Sequence, residues 1–303
     1  NAAFPDESFA IFAGTAGTVT VDNSLGAVRT SGMQFATDGY EIKGAALTLV
    51  GPEATLRVGD GTDAGTTFTA TIEAELTGSA RLVKTDGGTL VLAGTNSYTG
   101  GTAINGGTLQ IAIDAALGAA TGGVTLNGGT LATTADMVST RAFDVMGTGT
   151  LHTAADTTFT TEGVFSGAGS LTKDGAGTLV LTGNSAGFAG TTAVKVGTLA
   201  VNGQLGGSMD VLLGGRLAGI GRVGTTTLHS GGIIAPGNNG IGTLTLAGNL
   251  VGEGGLIEIE AELGGDVSAA DRLVVTGDTA GTASVQVINR GGQGAPTREG
   301  IKI

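Results

Sequence analysis

One tripeptide, Gly-Thr-Leu, recurs along the chain and constrains its fold more than any other feature. It stands at 88–90, 107–109, 129–131, 149–151, 177–179, 197–199 and 242–244. Gly169-Ser170-Leu171 is a near-copy. From residue 88 to residue 169 the copies follow one another at steps of 19, 22, 20 and 20 residues. A period of this length indicates a repeat architecture in which each unit packs against its neighbours.

The residues around each copy have the pattern of a short strand followed by a turn. Thr89-Leu90-Val91-Leu92 and Thr178-Leu179-Val180-Leu181 are β-prone throughout. Asn-Gly and Gly-Gly pairs, as in Asn105-Gly106-Gly107, separate the strands and supply the positive φ that turns demand. We therefore predict an all-β fold for 1–303: a single right-handed parallel β-helix (β-solenoid) of roughly 15 coils.

Two other β-folds fit this pattern less well. A β-propeller blade takes about 40–50 residues and carries aromatic signatures that are missing here. An up-and-down barrel would have antiparallel hairpins and fewer identical turns. Helical signal is weak and is confined to 113–118 and 268–271, both shorter than an average helix.

Composition and charge exclude several classes of function. The net charge of −12 argues against a nucleic-acid partner and against docking on anionic lipid. Since the chain has no Cys, it cannot form disulfides, thiolate zinc sites or Cys nucleophiles. No apolar run reaches the ~18 residues that a membrane-spanning helix needs. Residues 1–6 carry neither an initiator Met nor a signal sequence, so we expect the chain to be part of a longer protein.

The chain offers few residues for catalysis. His152 and His229 are its two His residues, and neither lies in a protease or hydrolase motif, so we interpret both as solvated. Glu258, Glu260 and Glu262 share one face of a predicted strand because they are spaced by two. They could act as acids on a polysaccharide or bind a metal, but we interpret them as a solvated strand face that keeps the chain soluble.

Two further motifs also have simple structural interpretations. Asp60 and Asp63 could bind Ca²⁺, but the glycine-rich nonapeptide of Ca²⁺-binding solenoids is missing. The stretch Gly219–Gly224 matches a dinucleotide-binding pattern without the surrounding βαβ unit, so we predict a turn between coils. The sequence thus predicts no catalytic residue, no metal site and no cofactor, and it leaves the binding residues undetermined.

Two longer copies, 82–111 and 171–201, contain these elements in the same order. Each has Leu-x-Lys, then Gly-Thr-Leu-x-Leu-x-Gly, then an aromatic residue (Tyr98 or Phe188) and a second Gly-Thr-Leu. This unit resembles the autotransporter-associated β-strand repeat, although the second copy has one inserted residue and Phe188 where the family favours Tyr. Residues 289–303 resemble the start of an autochaperone region, which we expect to be truncated here.

The resemblance implies an exported passenger of type V secretion, at the cell surface or secreted across the Gram-negative outer membrane. Its membrane contact would be a C-terminal β-barrel outside this chain. We expect a non-enzymatic adhesin whose partners are host cell-surface or extracellular-matrix components. Alternatives are self-association in bacterial aggregation or biofilm, a structural stalk and, last, a polysaccharide-cleaving β-helix enzyme that uses Glu258 and Glu260.

Overall fold

A computed structural model describes residues 7–303 of the chain. The expectation about a missing signal sequence concerns residues 1–6 and lies outside the described part. The chain divides into two compact units, Asn1–His152 and Thr153–Ile303. Within the described residues, helical structure is limited to two 3₁₀ helices, Ala64–Thr67 and Asp114–Leu117. The second lies at the weak helical signal of 113–118, whereas residues 268–271 form no helix.

Short strands make up the rest of the regular structure. In the first unit they are β1 (Ser8–Phe12), β2 (Thr18–Val21), β3 (Val28–Phe35), β4 (Tyr40–Gly44), β5 (Leu47–Leu49), β6 (Glu53–Val58), β7 (Thr69–Ile72), β8 (Leu76–Gly78), β9 (Arg81–Thr85), β10 (Thr89–Leu92), β11 (Thr102–Ile104), β12 (Thr108–Ile111), β13 (Val124–Leu126), β14 (Thr130–Thr133), β15 (Met137–Ser139) and β16 (Phe143–Val145). The boundary between the units falls within β17 (Thr148–Thr153).

The second unit continues with longer strands toward its end. They are β18 (Thr158–Thr161), β19 (Phe165–Gly167), β20 (Ser170–Asp174), β21 (Thr178–Leu181), β22 (Asn184–Ser185), β23 (Thr191–Val194), β24 (Gly197–Val201), β25 (Gln204–Val211), β26 (Gly215–Gly219), β27 (Arg222–His229), β28 (Ile233–Pro236), β29 (Thr243–Leu246), β30 (Leu250–Glu262), β31 (Arg272–Val275) and β32 (Thr279–Gly291).

Strands of the first unit pair in parallel with strands about one repeat away. β10 lies in register with β7 on one side and with β12 on the other, and β14 continues this ladder. A second ladder runs β6, β9, β11, β13 and β16. Since consecutive coils supply neighbouring strands on each face, the predicted parallel β-helix is confirmed.

The second unit has three such ladders. The first runs β18, β21, β24, β26, β28 and β30. The second runs β20, β23, β25, β27 and β30. The third runs β22, β25, β27, β29 and β31. The long strands β25, β27 and β30 belong to two ladders each, and their register shifts mark the corners between faces.

The leucines of the repeated tripeptide form the interior. Leu90, Leu109 and Leu131 are neighbours in one ladder, and all three are fully buried. In the second unit the same position forms the stack Phe159, Leu179, Leu199, Leu217 and Ile234, none more than 1% exposed. Each buried side chain of this size stabilises the fold by about 1.5–3 kcal/mol. Because successive side chains of a strand alternate, the threonine beside each leucine faces outward.

The glycine that opens the second tripeptide of each long repeat is required by geometry. Gly107 has φ +59° and Gly197 has φ +71°, in the left-handed region that disfavours other residues. An added Cβ on Gly107 would collide with the carbonyl oxygens of Asp86 and Gly88. The two coils can therefore approach each other this closely only because the residue at this turn is glycine, which has no side chain.

Each long repeat also buries one lysine, Lys84 and Lys173, completely. Each ammonium group donates hydrogen bonds of 2.7–3.2 Å to three carbonyl oxygens on two adjacent coils. The acceptors are Thr85, Asp86 and Gly106 for Lys84, and Asp174, Gly175 and Val196 for Lys173. Burial lowers the pKa of both side chains to about 8. These lysines stabilise the turns whose carbonyl groups they bind, and they do not lie at the surface.

Candidate binding groove

A groove of about 800 Å³ lies on the outer face of the first ladder of the second unit. Its floor contains the outward-facing side chains Val180, Ala218 and Ala235, which are only 9%, 7% and 4% exposed. Ala200 lies in register between Val180 and Ala218 and is fully buried. Outward side chains of a sheet are usually open to solvent. The low exposure of these three side chains shows that larger surrounding residues cover them.

Hydroxyl groups border the floor along several coils. Thr178 and Thr198 come from successive Gly-Thr-Leu tripeptides and lie in register, and Thr158 lies in register with them one coil earlier. Since strands are about 4.8 Å apart, these threonines present hydroxyl and methyl groups at a regular spacing. The repeat that builds the interior therefore also builds the side of the groove.

Two ion pairs occupy the other end of the groove. The guanidinium of Arg216 on β26 pairs with the carboxylate of Glu258 on β30. Arg290 Nε on β32 lies 3.3 Å from Glu260 Oε2. The carboxylates are partly sheltered, with side chains 17% and 27% exposed. The two pairs thus place positive charges on β26 and β32 and negative charges on β30, with β28 lying between β26 and β30.

A turn at residues 236–240 forms one wall, and Asp271 holds it in place. Asn239 has φ +62°, and the two glycines of the turn, Gly237 and Gly240, also have positive φ. Asp271 is 1% exposed, and its carboxylate accepts hydrogen bonds from Gly242 N at 2.8 Å and Glu260 N at 2.9 Å. One buried side chain thereby ties the end of the turn to the strand that carries the charged pairs.

The structure places the three glutamates of the sequence analysis on one side of β30, as their spacing predicts. Glu258 and Glu260 face the groove and pair with arginines instead of lying in open solvent, whereas Glu262 is exposed. Sequence reasoning missed Arg216 and Arg290 as their partners. Arg216 lies 42 residues from Glu258, about two coils, so a count in steps of about 20 would have brought the two together.

The histidines lie outside the groove. His229 lies between two carboxylates, with Nε2 3.2 Å from Asp210 Oδ1 and Nδ1 2.8 Å from Glu253 Oε2. The hydrogen bond with Asp210 raises the pKa of His229, and Glu253 adds to the effect. His152 lies half-buried on β17. Neither histidine lines the groove.

The remaining sequence motifs show no assembled site. Asp60 and Asp63 are exposed, and hydrogen bonds from Thr62 lower the pKa of Asp60. Across residues 7–303, no three His, Asp or Glu side chains are grouped so as to hold a metal ion. Residues 220–221 connect β26 to β27 without a helix, whereas Gly219 ends β26 and residues 222–224 begin β27, so the connection is shorter than the predicted turn. In the same part of the chain, no helix is both long and apolar enough to span a membrane.

Two family models match the chain. The Passenger-associated-transport-repeat matches residues 82–111 and 171–201. The Autochaperone Domain Type 1 matches residues 223–303, which include Glu258, Glu260 and Arg290 of the groove but not Arg216. This second match begins well before residue 289, the expected start of the autochaperone-like region.

Three curated proteins that are named as autotransporters are also similar to the chain. The adhesin BmaC autotransporter of Brucella suis biovar 1 (strain 1330) is 54% identical over 304 residues, which cover 100% of this chain and 9% of the relative. The probable autotransporter YfaL of Escherichia coli (strain K12) is 40% identical over 26% of the chain and 6% of its own length. The autotransporter adhesin AIDA-I of Escherichia coli is 41% identical over 20% of the chain and 5% of its length. The chain spans less than a tenth of each relative.

No solved structure matches the chain. Autotransporter passengers are exported across the outer membrane and are displayed at the cell surface or secreted. The two transport repeats, the autochaperone domain and the similarity of the whole chain to an autotransporter adhesin show that this chain belongs to the autotransporter passengers.

Proposed function

We propose that the chain is a non-enzymatic segment of an adhesin that binds host cell-surface or extracellular-matrix components. The observation that carries this proposal is the groove of the second unit. It is a sheltered polar surface whose carboxylates are already engaged in ion pairs or hydrogen bonds. A general acid or base must exchange a proton with its substrate. Here Glu258 and Glu260 are engaged by arginines, and Asp271 accepts two backbone N–H groups.

The relatives support the same function. Two of them are named as adhesins, and one of these is similar to the whole of this chain. Because the chain is less than a tenth of either protein, the adhesive contact of the full passenger can also involve other segments. The proposal therefore concerns the contribution of this segment, and it requires no metal and no cofactor.

Binding of the purified chain to immobilised matrix proteins, to host cells and to itself tests the proposal. We expect saturable binding to a host component. A double variant, Glu258→Gln with Glu260→Gln, should weaken that binding about tenfold or more, because hydrogen bonds to charged groups contribute ~1.5–3 kcal/mol each. Glu262→Gln is the matched control, since Glu262 is an exposed carboxylate of the same strand.

The other outcomes identify the alternatives. Binding to itself alone would favour self-association between bacteria. Binding to no surface would favour a stalk that supports another part of the passenger. Turnover of an acidic polysaccharide that Glu258→Gln abolishes would show that the non-enzymatic assignment is wrong.

A further inference from the structure

We propose that the groove binds an uncharged, hydroxyl-rich oligosaccharide in an extended conformation. This inference rests on the proposed adhesive function and names the class of ligand that the groove takes. It follows from the shape of the floor, the balance of charge and the pairing of the strands beneath.

The floor fits a flat ligand that has one apolar side. Val180, Ala218 and Ala235 present methyl groups, with the Thr178 and Thr198 side chains beside them. The strip runs over about five strand spacings from Thr158 to Glu258, or ~24 Å at ~4.8 Å each. The C–H face of a chain of sugar rings matches such a strip in shape and polarity.

The charges favour a neutral ligand. Arg216 and Arg290 are each paired with a glutamate, and Asp271 is the one further charged group among the described lining residues. A polyanion would meet three carboxylates, and a polycation would meet two guanidinium groups. The hydroxyls of a sugar can donate to a carboxylate and accept from a guanidinium at the same time. Both charged groups of each ion pair therefore keep their hydrogen bonds when the sugar binds.

The strand pairing disfavours a peptide. An extended peptide binds a sheet by adding a strand to an open edge. β21, β24 and β26 are each paired on both sides, so the floor offers side chains and no free backbone edge. An amphipathic helix would need a wide floor of large apolar side chains, whereas this floor is mostly alanine.

The ligand should bind weakly at a single groove. None of the described lining residues is aromatic, so ring stacking contributes nothing and hydrogen bonds carry the affinity. We expect a Kd of about 1 mM for one oligosaccharide. Adhesion would then require many copies on one surface.

Saturation-transfer NMR with defined hexasaccharides tests the inference on the whole chain. The neutral probes are cellohexaose and laminarihexaose, and the charged controls are hexagalacturonate and the chitosan hexamer. At least one neutral probe should bind about tenfold more tightly than either charged probe. Equal binding of all four, tighter binding of a charged probe, or binding of none would overturn the inference.

Three variants locate the site. Ala218→Phe fills the floor and should abolish binding of the neutral probe. Ala132→Phe is the matched control, because Ala132 is an outward-facing alanine of equal exposure (7%) on β14 of the first unit. Thr198→Val removes one hydroxyl with little change in volume and should weaken binding about threefold or more, even if Ala218→Phe fails to fold. Full binding by Thr198→Val and by Glu258→Gln would place the ligand elsewhere and overturn the inference.

Failure of this inference and failure of the proposed function give different results. If the chain binds cells or matrix while no neutral hexasaccharide binds or competes, the glycan assignment is wrong and the adhesive function stands. If a neutral probe binds the groove and no host surface is bound, the glycan assignment stands and the adhesive function is wrong.

Discussion

Tyr98 and Phe188 occupy equivalent places in the two long repeats, and they differ by one hydroxyl group. Tyr98 Oη lies 2.7 Å from Thr102 Oγ1, and both residues are buried. In the second repeat the corresponding Thr192 hydroxyl is buried without a hydrogen-bond partner. The phenylalanine therefore leaves one polar atom unsatisfied, which costs free energy in the folded state.

Phe188→Tyr should give Thr192 the partner that Thr102 has. We expect the free energy of unfolding to rise by about 1 kcal/mol, measured by urea denaturation. The mirror variant, Tyr98→Phe, should lower it by about 1–3 kcal/mol, because it leaves Thr102 unsatisfied. A fall in stability for Phe188→Tyr would mean that the second repeat has no room for the hydroxyl.

The sequence predicted part of this arrangement. The repeat placed Tyr98 and Phe188 at equivalent positions, and in the structure both side chains are buried. The buried state of Lys84 and Lys173 was not predicted, because charged residues are almost always exposed unless they are paired. The carbonyl oxygens that satisfy them come partly from the next coil, which a local pattern does not show.

At the scale of the element, one arginine organises the segment from Asp114 to Gly122. The Arg141 side chain is 1% exposed, and its Nε lies 3.0 Å from Asp114 Oδ1. The guanidinium also donates hydrogen bonds of 2.6–3.2 Å to backbone carbonyl oxygens. These belong to Asp114, Leu117, Gly118, Ala119 and Gly122. The second 3₁₀ helix and the turn after it are therefore held around one side chain.

Arg141→Met should destabilise the fold by about 3–5 kcal/mol, because it removes the donor from a buried ion pair and from five carbonyl groups. Arg141→Lys should recover only part of the loss, since an ammonium cannot reproduce the planar fork of donors. The control is Arg57→Met, which breaks the more exposed pair with Asp86 and should cost less than ~1 kcal/mol. Equal losses for Arg141→Met and Arg57→Met would contradict this role.

The strands were easier to predict than this segment. β10, β12, β21 and β24 follow directly from the recurring tripeptide, since the pattern repeats at a fixed step. Arg141 belongs to no repeat, and the groups it binds lie 19–27 residues earlier in the chain. A single residue that acts across coils leaves no periodic signal.

At the scale of the whole molecule, each coil is held mainly by the coils before and after it. Leu179 lies in register between Phe159 and Leu199, and all three are at most 1% exposed. In such a stack, stability is the sum of the coils and their interfaces. Damage to one interior position therefore weakens at least two interfaces.

Leu179→Asp should destabilise the chain strongly, because it places a charge in the apolar stack. We expect a clear fall in Tm and loss of hydrogen-exchange protection in 158–161 and 197–201 as well as in 178–181. Ala189→Asp, at an exposed position of the same repeat, should change Tm by less than about a degree or two. An unchanged Tm for Leu179→Asp would show that Leu179 lies outside the interior.

The fold class could be predicted from the sequence because one period organises the strands. The groove was only partly accessible. Its glutamates were recognised on one strand face, but the arginines that pair with them and the sheltered alanine floor depend on which coils lie side by side. Corners such as the register shifts of β25 and β30 change the count between coils, so distant partners cannot be assigned by period alone.

The similar sequences of the two long repeats also have a genetic consequence. They begin 89 residues apart, at Leu82 and Leu171, and each contains a buried lysine, although the second copy has one further short strand, β22. Unequal crossing-over between the DNA segments that encode them would insert or delete several coils. The order of strands and turns would continue unbroken across the junction. The gene could therefore change in length by the 89 residues that separate the starts of the two copies, and selection would then act on the outward residues of the strands that remain.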